Sequence, residues 1–397
     1  MSISKYVALA GLILGAILTA GAGMLMVSQS TREQTPIAEL TPAAHDMARD
    51  IKVMAKDPAL DRMPATKAFI LEKAEEFTAD PAPRPETCDQ DGAEGLKFGS
   101  FCVTAASQTV MLRGGQFAWL SELQGHENLR VVLSQHVKTG DLTLLTGLPQ
   151  LTTLNLFGAQ IEDYSALSQM PGLTKLGLAR ANVTDLSFVA DLPNLRSLDL
   201  SDTQISDLSQ LAGHPSLQEL MIPGTLVTDL GPLADITTLR TLGMKKTQVS
   251  DLSPIAGLTG LWEVSIFDTP VADLSPLSQM TNLNKLYADK TAVTDLTPLA
   301  GLTKLSYLDV DRNAVSDISP LSGLVNLRTL DLRETQVSDL TPLSGMARLY
   351  RLNLSGTPVS DLRPLAGLPE LRNLDLRDAR RADVIPLLRN PELDIKQ

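Results

Sequence analysis

The chain has 397 residues, with 34 basic against 46 acidic side chains and a formal net charge of −12. That balance excludes a nucleic-acid binder, because neutralising phosphates takes clustered Lys and Arg. Aromatic residues make up only 4% while Leu recurs at regular intervals, so the core must be repetitive and aliphatic.

In chain order, residues 6–27 (YVALAGLILGAILTAGAGMLMV) carry no charge over 22 positions. As a helix they would span about 33 Å, against about 30 Å of membrane hydrocarbon. Lys5 and the amino terminus precede them. This predicts residues 1–5 in the cytoplasm and the rest extracytoplasmic, in the periplasm or at the cell surface. The segment reads as an uncleaved, single-pass signal anchor. The competing reading is a signal peptide cut near Ala20-Gly21-Ala22, but Met24 to Val27 prolong the apolar run past that point. Gly11, Gly15, Thr19 and Gly23 share one face and would permit weak self-association of the membrane helix.

Residues 28–86 follow as a tether. Helical patterning covers 42–56 and 64–78, with Pro64 opening the second stretch, before the Pro-rich linker ADPAPRPE. Residues 87–118 are expected to form an N-terminal cap. They hold both cysteines, Cys88 and Cys102, which in an exported chain predict one disulfide bond, and the strand-like TVMLRGG.

From 119 to 383 the chain is periodic. Aspartate stands at 141, 163, 185, 207, 229, 251, 273, 295, 317, 339, 361 and 383, every 22 residues without insertion. A fixed period of this size marks a solenoid. In the unit DLTPLAGLTKLSYLDVDRNAVS (Asp295 to Ser316), apolar residues fall 1, 4, 7, 10, 13, 15 and 20 positions after the aspartate. The three-residue step predicts a 3-10 turn and the Leu-x-Leu pair a short strand. The fold class is therefore an α/β solenoid, in which stacked units share one parallel sheet.

The aspartate marks the corner where each unit enters its turn, and its carboxylate is expected to accept exposed backbone N–H groups. From Pro232 to Pro386 a proline follows three residues later, usually after Ser or Thr, which reads as a Ser/Thr N-cap with Pro at the first helical position. No metal is expected on this column, since one carboxylate per coil leaves most of calcium's about six to eight ligands unfilled. Residues 384–397 read as a polar closing cap.

The pattern L..L..L.L..T.V.DLSPLAGLT, carried most clearly by VSDLSPI (Val249 to Ile255) and VSDISPL (Val315 to Leu321), resembles the 22-residue leucine-rich repeat of the internalins and of SDS22-like proteins. The resemblance implies a leucine-rich-repeat horseshoe with a parallel sheet on its concave face and short 3-10 turns on its convex face. It also implies that macromolecular partners bind in the concavity. One departure is the ladder position four residues before the aspartate. Where the family commonly has Asn, this chain has Thr203, Thr225, Thr247, Thr269, Thr291, Thr335 and Thr357, with Asn only at 313. These threonines are expected to bond backbone groups between coils.

Alternation places positions 12, 14 and 16 after each aspartate on the sheet's open face. The candidate partner-binding residues there are Phe157, Phe267, Tyr287, Asp289, Tyr307, Asp309, Asp311, Asp331, Arg333 and Arg351. Aromatic anchors among charges are how a binding surface tends to look. The competing reading is a solvated sheet face whose charges keep it soluble. No G-x-S-x-G, P-loop or H-E-x-x-H motif occurs and the histidines are scattered, so neither enzyme activity, a cofactor nor a metal is expected. The expected function is a membrane-anchored, extracytoplasmic leucine-rich-repeat protein that binds a protein or an envelope polymer. The alternatives are an SDS22-like intracellular phosphatase-regulatory scaffold and a purely structural envelope spacer.

Overall fold

The repeat unit folds as its spacing dictates. In the unit beginning at Asp295, Leu296, Leu299, Leu302, Leu305, Leu308, Val310 and Val315 are each at most 1% exposed. Thr297–Leu299 forms a 3-10 turn, and Tyr307–Asp309 is a strand with Leu308 turned into the core. A computed structural model of the chain describes residues 85–98, 101–137, 141–379, 383–387 and 390–396. The membrane segment at 6–27 and the helices expected at 42–56 and 64–78 lie outside the described residues.

Stacking joins the units into one 14-stranded sheet, running from Thr109–Arg113 to Asp394–Lys396 with spatial order equal to sequence order. Neighbouring strands are parallel and in register with the repeat, so that Leu286, Leu308 and Leu330 face one another across three strands. Two boundaries differ from expectation. Thr109–Arg113 lies in the segment read as a cap, yet Val110 pairs with Val132 at the repeat spacing, so the sheet begins one coil before residue 119. At the other end Asp394–Lys396 adds a strand to the ladder instead of only closing it. The strand character of TVMLR was legible but its place in the ladder was not, because no aspartate of the column precedes it; at the other end the polarity of Asp394–Lys396 hid the strand.

Ahead of this sheet, Glu86–Gln90, Ala93–Phe98 and Phe101–Thr104 form a three-stranded antiparallel sheet. The Cys88–Cys102 disulfide ties its first strand to its third. Phe98 and Val103, 1% and 3% exposed, extend the leucine core into this sheet and cover the first coil.

The aspartate column makes the corners. In all twelve repeats one carboxylate oxygen accepts the backbone N–H two residues on, at 2.7 to 3.0 Å. Where Ser occupies that position, its hydroxyl donates to the other oxygen, as Ser253 does to Asp251 at 2.8 Å. The expected Ser/Thr N-cap is thereby corrected. Leu252 is the N-cap, Ser253 begins the 3-10 turn and Pro254 follows it, so the serine serves the aspartate and the aspartate satisfies the orphan N–H.

The threonine ladder also differs. Thr247 Oγ1 donates to the Met244 carbonyl at 2.7 Å, within its own coil, and six other threonines repeat this bond. The side chain is too short to span to the next coil. What it closes is a tight turn, because the preceding residue sits in the left-handed region, as at Asp202, Lys246, Asp268 and Glu334 (φ 53° to 58°). At this ladder position Asn313 does reach across: its amide donates to Ala288 of the preceding coil at 2.7 Å, and its oxygen accepts the Thr291 N–H at 2.8 Å.

Two outcomes are expected from this architecture. Leu308→Ala empties a side chain that is 0% exposed and should lower the unfolding free energy by about 2–5 kcal/mol; an unchanged denaturant midpoint would contradict the shared core. The second concerns acid. The Arg363 guanidinium, then its backbone N–H, hold Asp361 down to about 2. A folded value below the unfolded one gives stability that is present above about pH 4 and lost as pH falls through the folded value. The melting-temperature gap between the parent and Asp361→Asn should therefore be open at pH 5 and close near pH 2. A gap that stayed constant over that range would refute the assignment.

Candidate functional site

The strands Glu263–Ser265, Lys285–Tyr287, Tyr307–Asp309, Thr329–Asp331 and Arg351–Asn353 lie side by side, each with its middle residue buried and the outer two on the open face. Tyr287 stands opposite Asp309, and Asp309 opposite Asp331. The rings of Tyr287 and Tyr307 stack at 4.6 Å between centroids, tilted by 38°. Beside them four carboxylates collect: Asp289, Asp309, Asp311 and Asp331.

Backbone geometry orients this group. Asp309 Oδ1 accepts the Asp311 N–H at 3.1 Å, and Asp331 Oδ1 accepts the Arg333 N–H at 3.0 Å. Asn353 Nδ2 donates to the second Asp331 oxygen at 2.9 Å. Asp309, Asp311 and Asp331 each present an oxygen within 4.8 Å of the other two, which makes them the residues that could hold a cation. Asp311 is 8% exposed, and its Oδ1 is buried without a hydrogen-bond partner.

Burial, reinforced by the neighbouring carboxylates, pushes Asp309 up to about 7 and Asp289 up to about 6. The same two causes raise Asp311, while burial against opposing hydrogen bonds raises Asp331. Burial also raises the Tyr287 and Tyr307 hydroxyls. The nearby cations are engaged elsewhere. Arg312 and Arg333 both pair with Glu334, at 3.2 and 2.7 Å. Lys285 pairs with Glu263 at 3.1 Å and lies over the Trp262 ring at 4.6 Å, while Lys290 lies over Phe267 at 5.2 Å. Among the described residues none of the four aspartates joins an ion pair.

Of the residues singled out in the sequence, Tyr287, Asp289, Tyr307, Asp309, Asp311 and Asp331 thus converge. Phe267 and Arg333 stand at the margin, and Arg351 is exposed on the next strand but one from Tyr307. Phe157 is apart, on Thr153–Phe157, where its ring meets His136 edge-on and the Arg180 guanidinium, each at 5.5 Å. Trp262, 42% exposed, was not singled out because it lies one residue before the strand. An aromatic there, where the flanking coils have Arg240 and Asn284, was the available signal. A shallow groove continues from Asp331 over Arg351, Asn353, Asp375 and Lys396.

Comparison with known proteins agrees with this architecture. The family model for leucine-rich repeats (two copies) matches residues 171–213 and 303–345. An internalin (inlF) from Listeria monocytogenes is similar in structure, with a TM-score of 0.65 and 28% identity over 75% of this chain and 90% of its own. The functional domain of InlJ from the same species, which includes a cysteine ladder, has a TM-score of 0.53 and 25% identity over 64% of this chain and 54% of its own. A Leptospira interrogans leucine-rich-repeat protein shares the fold at 15% identity, with a TM-score of 0.57 over 74% of this chain and 90% of its own. No curated protein matches the chain.

Because the folded value of Asp309, about 7, exceeds the unfolded one, its contribution to stability is present below about pH 4 and lost as pH rises through 7. In chelator-treated buffer, Asp309→Asn should melt above the parent at pH 8.5, by about 3 °C or more, with the difference shrinking towards pH 5. A variant melting below the parent at pH 8.5 would show that the carboxylates do not oppose one another.

Proposed function

Since this chain belongs to the internalin-like family of leucine-rich-repeat proteins, we propose that it is a non-catalytic protein-binding module whose partner docks on the open sheet face centred on Tyr287 and Tyr307. The observation that carries this reading is the stacked tyrosine pair beside four aspartates. Leu286 and Leu308 already fill the core at 0% exposure, so the tyrosines lie on the face without any packing need. Large, half-buried aromatics framed by charges are the usual anchors of a protein interface.

The reading extends to location. The uncharged stretch at 6–27 supports a membrane tether with the repeats on the extracytoplasmic side, and the Cys88–Cys102 bond is the chemistry expected of an oxidising compartment. A partner held at the envelope then meets an open face rather than a buried one.

The test is a crosslinking capture from native envelope extract with the detergent-solubilised full chain as bait, compared with a Tyr287→Ala/Tyr307→Ala variant of matched melting temperature. A protein partner retained by the parent and reduced at least about tenfold by the variant is the expected result. Capture of an envelope polymer in place of a protein would reassign the ligand. Equal capture by both baits would refute the docking site and favour a spacer.

A further inference from the structure

We propose that Asp309, Asp311 and Asp331 form a binding site for a hard divalent cation, calcium. The three carboxylates come from two neighbouring coils, and their oxygens all lie within 4.8 Å of one another. Calcium accepts an irregular set of carboxylate oxygens at about 2.3–2.6 Å, whereas magnesium demands near-ideal octahedral geometry at about 2.0–2.1 Å and gives up its waters reluctantly. An all-oxygen donor set selects hard cations over zinc or copper.

Proximity of acids alone would not make a site. The independent observation is the Asp311 side chain, which is 8% exposed and directs a buried oxygen that no protein group meets. A carboxylate removed from water needs a counter-charge or hydrogen-bond donors. Arg312 and Arg333, the two cations flanking the cluster, make their ion pairs with Glu334, and among the described residues neither forms one with Asp311. Meanwhile the Asp311 and Arg333 N–H groups and the Asn353 amide hold the other two carboxylates in fixed orientations. Asp309 and Asp331 are thus preoriented, and Asp311 Oδ1 beside them has no partner.

These residues differ in kind from the turn aspartates. In the turn column the oxygens are occupied by backbone N–H and serine hydroxyl donors, as at Asp251. On the sheet face Asp331 is held in the same way, by the Arg333 N–H and the Asn353 amide, but the buried Oδ1 of Asp311 meets no donor. Three carboxylates supply three to six of calcium's about six to eight ligands, depending on bidentate binding, and water fills the rest from the open side. The site stands whether or not the same face takes a protein partner.

The test is terbium luminescence on the chelator-stripped full chain, excited through tyrosine, since Tyr287 and Tyr307 adjoin the cluster. A saturable emission displaced by calcium is expected, with affinity at least about tenfold weaker in Asp311→Asn and unchanged in Asp251→Asn. Calcium should also raise the melting temperature of the parent and leave that of Asp311→Asn unmoved. Equal emission in the parent and Asp311→Asn, or a parent melting temperature indifferent to calcium, would overturn the proposal.

Discussion

No coil of this protein can bury its own leucines. Each presents seven aliphatic side chains to a space that closes only when the next coil stacks on it, which is why Leu286, Leu308 and Leu330 stand in line at 0% exposure. The rest of the molecule follows from that dependence. The period cannot drift, because a coil of another length would put a polar residue opposite a leucine. The ends must be covered, and the N-terminal three-stranded sheet covers the first coil with Phe98 and Val103, its outer strands tied by a disulfide.

Turning the chain four-square within so short a unit demands local hydrogen bonds at its corners. The aspartate caps one corner and the threonine hydroxyl the other, following a residue in the left-handed region. Both are intracoil devices. They leave the strand ladder as the main hydrogen-bonded link between coils, so lateral cohesion comes from the sheet and the aliphatic core, and Asn313 is a local addition.

The same residue type does opposite electrostatic work at two places. At the turn, Asp251 is exposed and its carboxyl sits below its ordinary range because the Ser253 N–H and hydroxyl donate to it. In the face cluster the aspartates are withdrawn from water beside one another and are pushed up, Asp309 to about 7. Environment sets the sign, through hydrogen bonding in one case and through burial and like charge in the other. The turn column stabilises the fold; the face cluster opposes it, and such opposition marks a place kept for something other than stability.

The sequence by itself determined the period, the strand and turn within each unit, the buried positions and the role of the aspartate column, because all of these repeat and each coil confirms the others. It also determined which side chains lie on the open face, since alternation along a strand is a local property. Only the tertiary structure decided which of them meet. Tyr287 stacks on Tyr307 across adjacent strands, and Asp309, Asp311 and Asp331 converge, whereas Phe157 is left at a distance. It also decided that the serine serves the aspartate, that the threonines bond within their coils, and that the sheet starts at Thr109. The reason is physical: periodicity encodes which way a side chain points, but contacts between coils depend on the direction of each χ angle and on where competing partners draw it, as Glu334 draws Arg312 and Arg333.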